Sequence, residues 1–550
     1  MKMKIFYPTT LLLSILSFSA PLCSAADVDK DMDSVETMRS EANQSLEFML
    51  LPGENWYGGF NSDGQRMPFN ASTQHTREMF NQGDYNQVAP LLISDQGRWV
   101  WSDHPFRFEF NGGKFTALSG LGPVKLGRSG QTLRSAFLGA SRLFFPPQGK
   151  VPDLRLFTHP QYNTWIELMY DQEESAILRY ANTLIEKKYP VGVLMIDDNW
   201  QEDYGVWKFS GTRFRDPKGM LRTLKSQGFP VMLWVCPFVS PDSTVYRDLA
   251  AKGFLLSENS QNRPAMIRWW NGVSAVLDLS NPGSAEWFKG QLSHLVTEYG
   301  VDGFKFDAGD ADYYAGDVRH HVPTTNANEQ TEFYARIGLD FPLNEFRAGW
   351  KMGGQPLVQR LRDKEHRWHA ITALIPDILA QGLIGHPFTC PDLIGGGEYL
   401  SFLSAQTIDQ ELVVRSAQVH ALMPMMQFSA APWRVLSPEN NEICRRMAEL
   451  HVATGPEIVA LAQQSAKTGE PIVRSLEYQF PHQGYAAIKD QFMLGTELLV
   501  APVLEQGARS RKIIFPPGKW KGDDGSTVSG PAEHVVEAPL DRLPHYRLQR

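Results

Sequence analysis

The chain has 550 residues, 42% hydrophobic and 21% charged, a composition that supports a large packed core. Its 45 glycines follow no period and it holds only four cysteines, which excludes a collagen-like rod and a disulfide scaffold. A net charge of −8 argues against a grip on phosphate backbones, which needs a basic face, so no nucleic-acid partner is expected.

Residues 1–25 have the layout of an export signal. Lys2 and Lys4 precede the apolar run 11–18, and Cys23-Ser24-Ala25 sets small residues before a cut that starts the mature chain near Ala26. The protein is therefore expected to be exported, periplasmic or secreted. That run is too short to span a bilayer and no later one reaches membrane length, so no membrane span is expected. Cys236, Cys390 and Cys444 remain, an odd number without a CxxC pair. They read as buried hydrophobes, one bridge among them staying open, and not as metal ligands.

Residues 26–50 are polar and helix-prone, a lead-in. From there to 155 the pattern is short and turn-rich, with alternation in 106–110 followed by Asn111-Gly112, which predicts an N-terminal β-sandwich over 26–155. Over 156–435 the rhythm changes. Buried strands at 191–196, 230–235 and 303–307 alternate with amphipathic helices at 172–188, 217–227 and 284–299. This α/β alternation predicts a (β/α)8 TIM barrel, whose chemistry sits at the C-terminal ends of its strands. Strand-like runs at 492–495, 498–503 and 511–520 then predict a C-terminal β-sandwich over 436–550.

The strongest local signal is Gly303-Phe304-Lys305-Phe306-Asp307. Alternation along a strand puts Lys305 and Asp307 on one face. Facing the barrel interior, Asp307 would stand at a strand tip beside a cation that keeps it ionised, as a nucleophile requires. The same pair would serve equally as a structural ion pair at the rim.

From about Trp56 onward the sequence resembles glycoside hydrolase family 31, retaining α-glycosidases on a (β/α)8 barrel. The motifs are Asp302-Gly303-Phe304-Lys305-Phe306-Asp307, Glu345-Phe346-Arg347-Ala348-Gly349-Trp350, Arg362-Asp363 followed by Trp368, Pro391-Asp392-Leu393-Ile394-Gly395-Gly396, and the stretch Gln491 to Val503. The resemblance implies Asp307 as nucleophile and Asp363 as acid/base. A retaining enzyme holds such a pair about 5–5.5 Å apart. It also implies a pocket for one terminal sugar and no cofactor or metal. Asp197 or Asp198 would bind hydroxyls, only one of the two facing the pocket. Arg347 would grip hydroxyls or steady a carboxylate, or else form a rim ion pair. Trp234 and Trp270 would wall the pocket, or else pack the core. Trp56 would reach the barrel mouth. Asp392 would support the site, and it competes for the acid/base role because it too follows an apolar strand. Gly395-Gly396-Gly397 lacks phosphate-cradle spacing.

Two positions depart from the family's α-glucosidases. Arg360 stands where they carry an aromatic, and is placed here among the substrate-binding residues. Ser429 stands where they carry a sugar-binding histidine. Strings such as Ile196-Asp197-Asp198-Asn199-Trp200 and Gln427-Phe428-Ser429-Ala430-Ala431-Pro432-Trp433 instead resemble the family's branch with α-galactosidase activity. The expectation is an exo-acting retaining enzyme on terminal α-galactosides, its partner a glycoside or oligosaccharide. The alternatives are an α-glucosidase, another family 31 α-glycosidase, or a non-catalytic carbohydrate-binding relative, although both carboxylates are present. A metal-dependent hydrolase built on Asp307, Asp310, Asp312, Asp317 and His320-His321 fits neither EF-hand nor HExxH spacing.

Overall fold

A computed structural model describes residues 38–39, 43–80, 86–261, 263–404 and 407–549. The predicted leader at 1–25 lies outside them. Of the helix-prone lead-in, Leu46–Met49 is a strand instead, paired with Lys114–Leu118. Alternation explains the difference, since Leu46 is buried and Glu47 exposed.

The N-terminal region packs a six-stranded sheet against a four-stranded one. Phe108, Phe110 and Phe115 from the second sheet fill the space below Trp56, Phe60 and Phe69, while Arg107 and Glu109 point outward. Two such faces exclude water only when stacked, so the pair forms one core.

The barrel strands are β1 (Gln161–Asn163), β2 (Leu194–Ile196), β3 (Val231–Val235), β4 (Gly303–Phe306), β5 (Leu343–Phe346), β6 (Gln359–Arg360), β7 (Thr389–Cys390) and β8 (Gln427–Phe428). Neighbours from β1 to β7 pair in parallel, and β8 pairs with β1. The gap between β7 and β8 is bridged just beyond the strand, where Ile394 N donates to Gln427 O at 2.8 Å. In β4, Phe304 and Phe306 turn outward. Phe306 stacks on Phe346 of β5 at 4.5 Å and meets Tyr334 of the helix Ala327–Ile337. Lys305 therefore faces inward, as alternation predicts. Cys236, Cys390 and Cys444 are buried free thiols.

No helix links β5 to β6. The chain instead runs through Gly349–Trp350, which pairs in parallel with Gln87 and Val88 of the N-terminal sheet. This detour ties the N-terminal domain to two barrel strand ends. The Gln87 side chain, fully buried, donates through Nε2 to Arg347 O at 2.6 Å and Arg360 O at 3.1 Å. Its Oε1 accepts from Asn61 at 2.7 Å and from Gln381 at 2.6 Å. Asn86 Oδ1 accepts from Arg362 N at 3.2 Å.

The C-terminal β-domain is hydrogen-bonded as one antiparallel six-stranded sheet over Leu499, Ile513, Phe515, Trp520 and Tyr546. Among the described residues no helix is long and apolar enough to cross a membrane.

Replacing Gln87 by Leu strips two buried carbonyls of their donor. At about 1–3 kcal/mol for each orphaned group, Gln87→Leu lowers stability by roughly 2–6 kcal/mol. Denaturant melts read this loss, and an unchanged midpoint would show that Gln87 does not hold these strand ends.

Candidate active site

The C-terminal mouth of the barrel gathers charges from adjacent strands. Trp234, Lys305 and Glu345 are Cα partners across β3, β4 and β5, so their side chains form one interior layer. Asp307 stands just past β4, where Ala308 and Gly309 both adopt left-handed backbone at φ 55° and 77°. A Cβ on Gly309 would meet the Tyr334 ring at 2.3 Å, so only glycine permits this turn.

Asp307 is nearly enclosed. Trp234 Nε1 donates to its Oδ2 at 2.7 Å, and Arg347 Nε lies 3.4 Å from its Oδ1. Burial pushes the Asp307 carboxyl up, but the charges of Arg347, Lys305 and Arg360 overcome this and hold it well below the usual carboxylate range. Arg347 is itself fixed from two sides: Nη2 donates to Asp310 Oδ2 at 2.7 Å, and its guanidinium lies 4.8 Å over the half-exposed Trp270 ring. Lys305 does not pair directly with Asp307; its Nζ donates to Asp197 Oδ2 at 2.7 Å and reaches Asp307 as a nearby charge.

The opposite wall is acidic and hangs on Arg360. Its Nη1 donates to Asp363 Oδ1 at 2.6 Å and to Asp392 Oδ1 at 3.0 Å, while Nε lies 3.2 Å from Glu345 Oε1. Arg360 is 1% exposed, three carboxylates surround its Nη1 and Nε, and Nη1 also donates to Leu361 O at 3.0 Å, so it does not line a sugar pocket. That corrects its placement among the substrate-binding residues. Asp392 is completely enclosed at a strained φ of 121°, and its Oδ2 accepts from Lys364 N at 2.7 Å and Gly397 N at 3.2 Å. Burial, with the charge of Asp363, raises its proton affinity despite Arg360. Asp363 differs: its side chain is 33% exposed. The glycine run serves this wall, since a Cβ on Gly397 would stand 2.8 Å from Oδ1 of both Asp363 and Asp392.

Asp197 and Asp198, both buried just past β2, take different partners. Asp197 pairs with Lys305 in the interior. Asp198 accepts from Gln201 at 2.9 Å, Tyr204 at 3.1 Å and Asn271 at 2.7 Å, and burial raises its pKa to about 7. Trp56 is not at the mouth. It is fully buried in the N-terminal sandwich, stacked on Phe115 at 6.1 Å, because β-alternation turns it into that core. Ser429 Oγ accepts from Ile166 N at 2.7 Å and so closes β8 against the β1 loop. Asp312 and Asp317 do not join a metal cluster. Asp317 accepts from Asn259 at 2.7 Å, and among the described residues no three candidate ligands converge.

Sequence reasoning passes over Glu345, Tyr204 and Asn271. Glu345 shares parity with Arg347, the rule that linked Lys305 to Asp307, and could have been found by it. It is buried, and Gln427 Nε2 donates to its Oε2 at 2.7 Å. Tyr204 and Asn271 sit in hairpin turns and carry no periodic signal.

A shielded, ionised carboxylate facing a second, accessible one at the mouth of a (β/α)8 barrel defines a class: a barrel hydrolase of the two-carboxylate kind. Residues 159–458 match the "Glycosyl hydrolases family 31 TIM-barrel domain" and residues 469–547 the "Glycosyl hydrolase family 31 C-terminal domain". The chain belongs to glycosyl hydrolase family 31. The "Myogenesis-regulating glycosidase" of Mus musculus is 33% identical over 410 residues, 73% of this chain and 57% of that protein. "Alpha-glucosidase 2" of Bacillus thermoamyloliquefaciens is 24% identical over 405 residues, 68% of this chain and 50% of that protein. The chain spans about half the length of the curated relatives it matches. Among solved structures, the GH31 dextranase of Flavobacterium johnsoniae complexed with glucose has a TM-score of 0.83 at 21% identity, covering 92% of this chain and 67% of its own.

A hydrogen bond to a charged group is worth about 1.5–3 kcal/mol. Trp234→Phe, which removes only the donor to Asp307, is expected to lower kcat for a nitrophenyl glycoside by roughly 10–100-fold. The thermal midpoint should change little. An unaltered kcat would mean that this bond does not tune the carboxylate.

Proposed function

We propose that this chain is an exo-acting retaining α-glycosidase preferring terminal α-galactosides, with Asp307 as nucleophile and Asp363 as acid/base. The observation that supports it is the asymmetry of the two carboxylates. Cations and a Trp N–H hold Asp307 ionised, while Asp363 reaches the mouth where a leaving group departs. Oδ1 of Asp307 accepts no hydrogen bond and keeps its lone pairs for a new one. It attacks the anomeric carbon as the glycosidic C–O bond breaks, and the Asp363 proton passes to the departing oxygen. The glycosyl ester is then cleaved by water, whose proton Asp363 takes. The low proton affinity of Asp307 makes it a good leaving group in this second step. Asp392 is a poor rival for proton transfer because it is enclosed and its Oδ2 already accepts from Lys364 N and Gly397 N.

The galactoside preference rests on the departures from the α-glucosidase pattern. Arg360 is committed to carboxylates, and Ser429 closes a loop where those enzymes place an imidazole. Trp270 and Asn271, with Asp197 and Asp198 beneath, are the groups left to sense hydroxyl orientation. A mispaired buried hydroxyl costs about 1–3 kcal/mol, enough to separate epimers.

Initial rates on nitrophenyl α-galactoside and α-glucoside test both parts. Galactoside turnover is expected to exceed glucoside turnover and to fall at least about 10⁴-fold in Asp307→Asn, with folding retained. Turnover of the glucoside alone would keep the mechanism and discard the preference. Asp363→Ala should slow alkyl glycosides far more than nitrophenyl ones. Equal slowing would overturn the acid/base assignment.

A further inference from the structure

Asp363 is followed by a buried charge that the proposed reaction does not use. Lys364 is 7% exposed, and its Nζ donates to Asp377 Oδ2 at 2.6 Å. Asp377, also buried, lies inside the helix Trp368–Leu383, directly after Pro376. Among the described residues its Oδ1 accepts no hydrogen bond. Burying two charges costs several kcal/mol for each ion, and an apolar pair of similar volume is often as stable. The pair is therefore better explained by the geometry it fixes than by the stability it adds.

That geometry is the backbone beside Asp363. Lys364 is held at three points: its N donates to Asp392 Oδ2 at 2.7 Å, its O accepts from Glu398 N at 3.0 Å, and its side chain reaches Asp377. The first two tie the loop to the segment after β7, and the third ties it to the helix that follows. The N-terminal domain backs that helix at the same place. A Cβ on Gly64 would stand 2.3 Å from Pro376 O and 2.6 Å from Asp377 N, so the turn Asn61–Arg66 rests directly on this backbone. One helical turn earlier, Gln65 Nε2 donates to Thr372 Oγ1 at 3.1 Å. We propose that Asp377 is a positioning residue that, through Lys364, sets the depth at which Asp363 stands in the barrel mouth. The inference rests on Asp363 being the acid/base. A general acid acts only within hydrogen-bond reach of the leaving oxygen, and a displacement of about 1 Å can cost about 10²-fold.

Lys364→Met combined with Asp377→Asn makes a neutral pair of similar volume and leaves no buried charge unpaired. Lys364→Met alone is a second probe. Burial, with the charge of Asp63, already raises the proton affinity of Asp377 despite Lys364, so the carboxyl left behind can take a proton. Values of kcat/KM are compared on the methyl and nitrophenyl α-glycosides of whichever sugar, galactose or glucose, the unmodified protein turns over faster. The methyl glycoside needs a proton as its aglycone departs and should slow about tenfold or more, the nitrophenyl glycoside less than about threefold. Equal slowing of both, or unaltered rates, would make the pair a structural staple and overturn the proposal. Asp363→Ala, measured beside them, separates the two assignments. A methyl-selective loss in Asp363→Ala without one in the pair variants overturns the positioning role alone. No such selectivity in Asp363→Ala overturns the acid/base assignment and this proposal with it.

Discussion

One guanidinium holds the acidic side of the barrel mouth together. Arg360 meets Glu345 from β5, Asp363 from the loop after its own strand, and Asp392 from beyond β7. Removing a single carboxylate from water costs several kcal/mol, and three in contact would repel one another as well. A planar fork with several donors can face all three, whereas a lysine, with one compact charge, cannot. The strand order of β5, β6 and β7 puts Arg360 in the middle, so the register of the barrel and the charge balance of the site are one constraint. An aromatic at this position would leave Glu345 with the Lys305 charge and the Gln427 amide, and Asp392 with two backbone N–H donors and no cation in contact.

Even with Arg360 in place, the mouth holds more acid than base. Asp197, Asp198, Asp307, Asp310, Glu345, Asp363 and Asp392 face Lys305, Arg347 and Arg360. The cations do not share themselves evenly. Arg347, Lys305 and Arg360 all act on Asp307 and hold it well below the usual carboxylate range, while burial raises Asp198, Asp310, Glu345 and Asp392. The frame for this division comes partly from outside the barrel. Gln87 of the N-terminal sheet holds the backbone at both Arg347 and Arg360, so the domain contributes position rather than chemistry.

Much of this was legible because strand alternation is strict. Lys305 and Asp307 on one face and Phe304 and Phe306 on the other follow from a period of two. What alternation does not give is depth. Trp56 and Trp234 look alike in sequence, yet one is core of the N-terminal sandwich and the other touches Asp307, because the difference lies in which sheet each strand joins. Arg360 was visible as a departure, but its three partners come from segments up to 32 residues away that meet only when the strands pair. The missing helix between β5 and β6 was equally hidden, since Gly349-Trp350 finds its partner strand in another domain.

The buried charges have a consequence for sugar choice. Lys305, Arg347, Arg360, Asp310 and Asp392 are held by one another and have little freedom to respond to a hydroxyl. Under the proposed function, recognition would fall to groups with a free edge: Asp363, Trp270, Tyr204 and Asn271, all four on loops or hairpins after the strands. Those segments can be exchanged without disturbing the interlocked charges below. That separation is how one barrel frame can underlie relatives described as glucosidase, xylosidase and dextranase. Under the proposed function it would also place selectivity in residues that neither the barrel register nor the strand leading to Asp307 dictates.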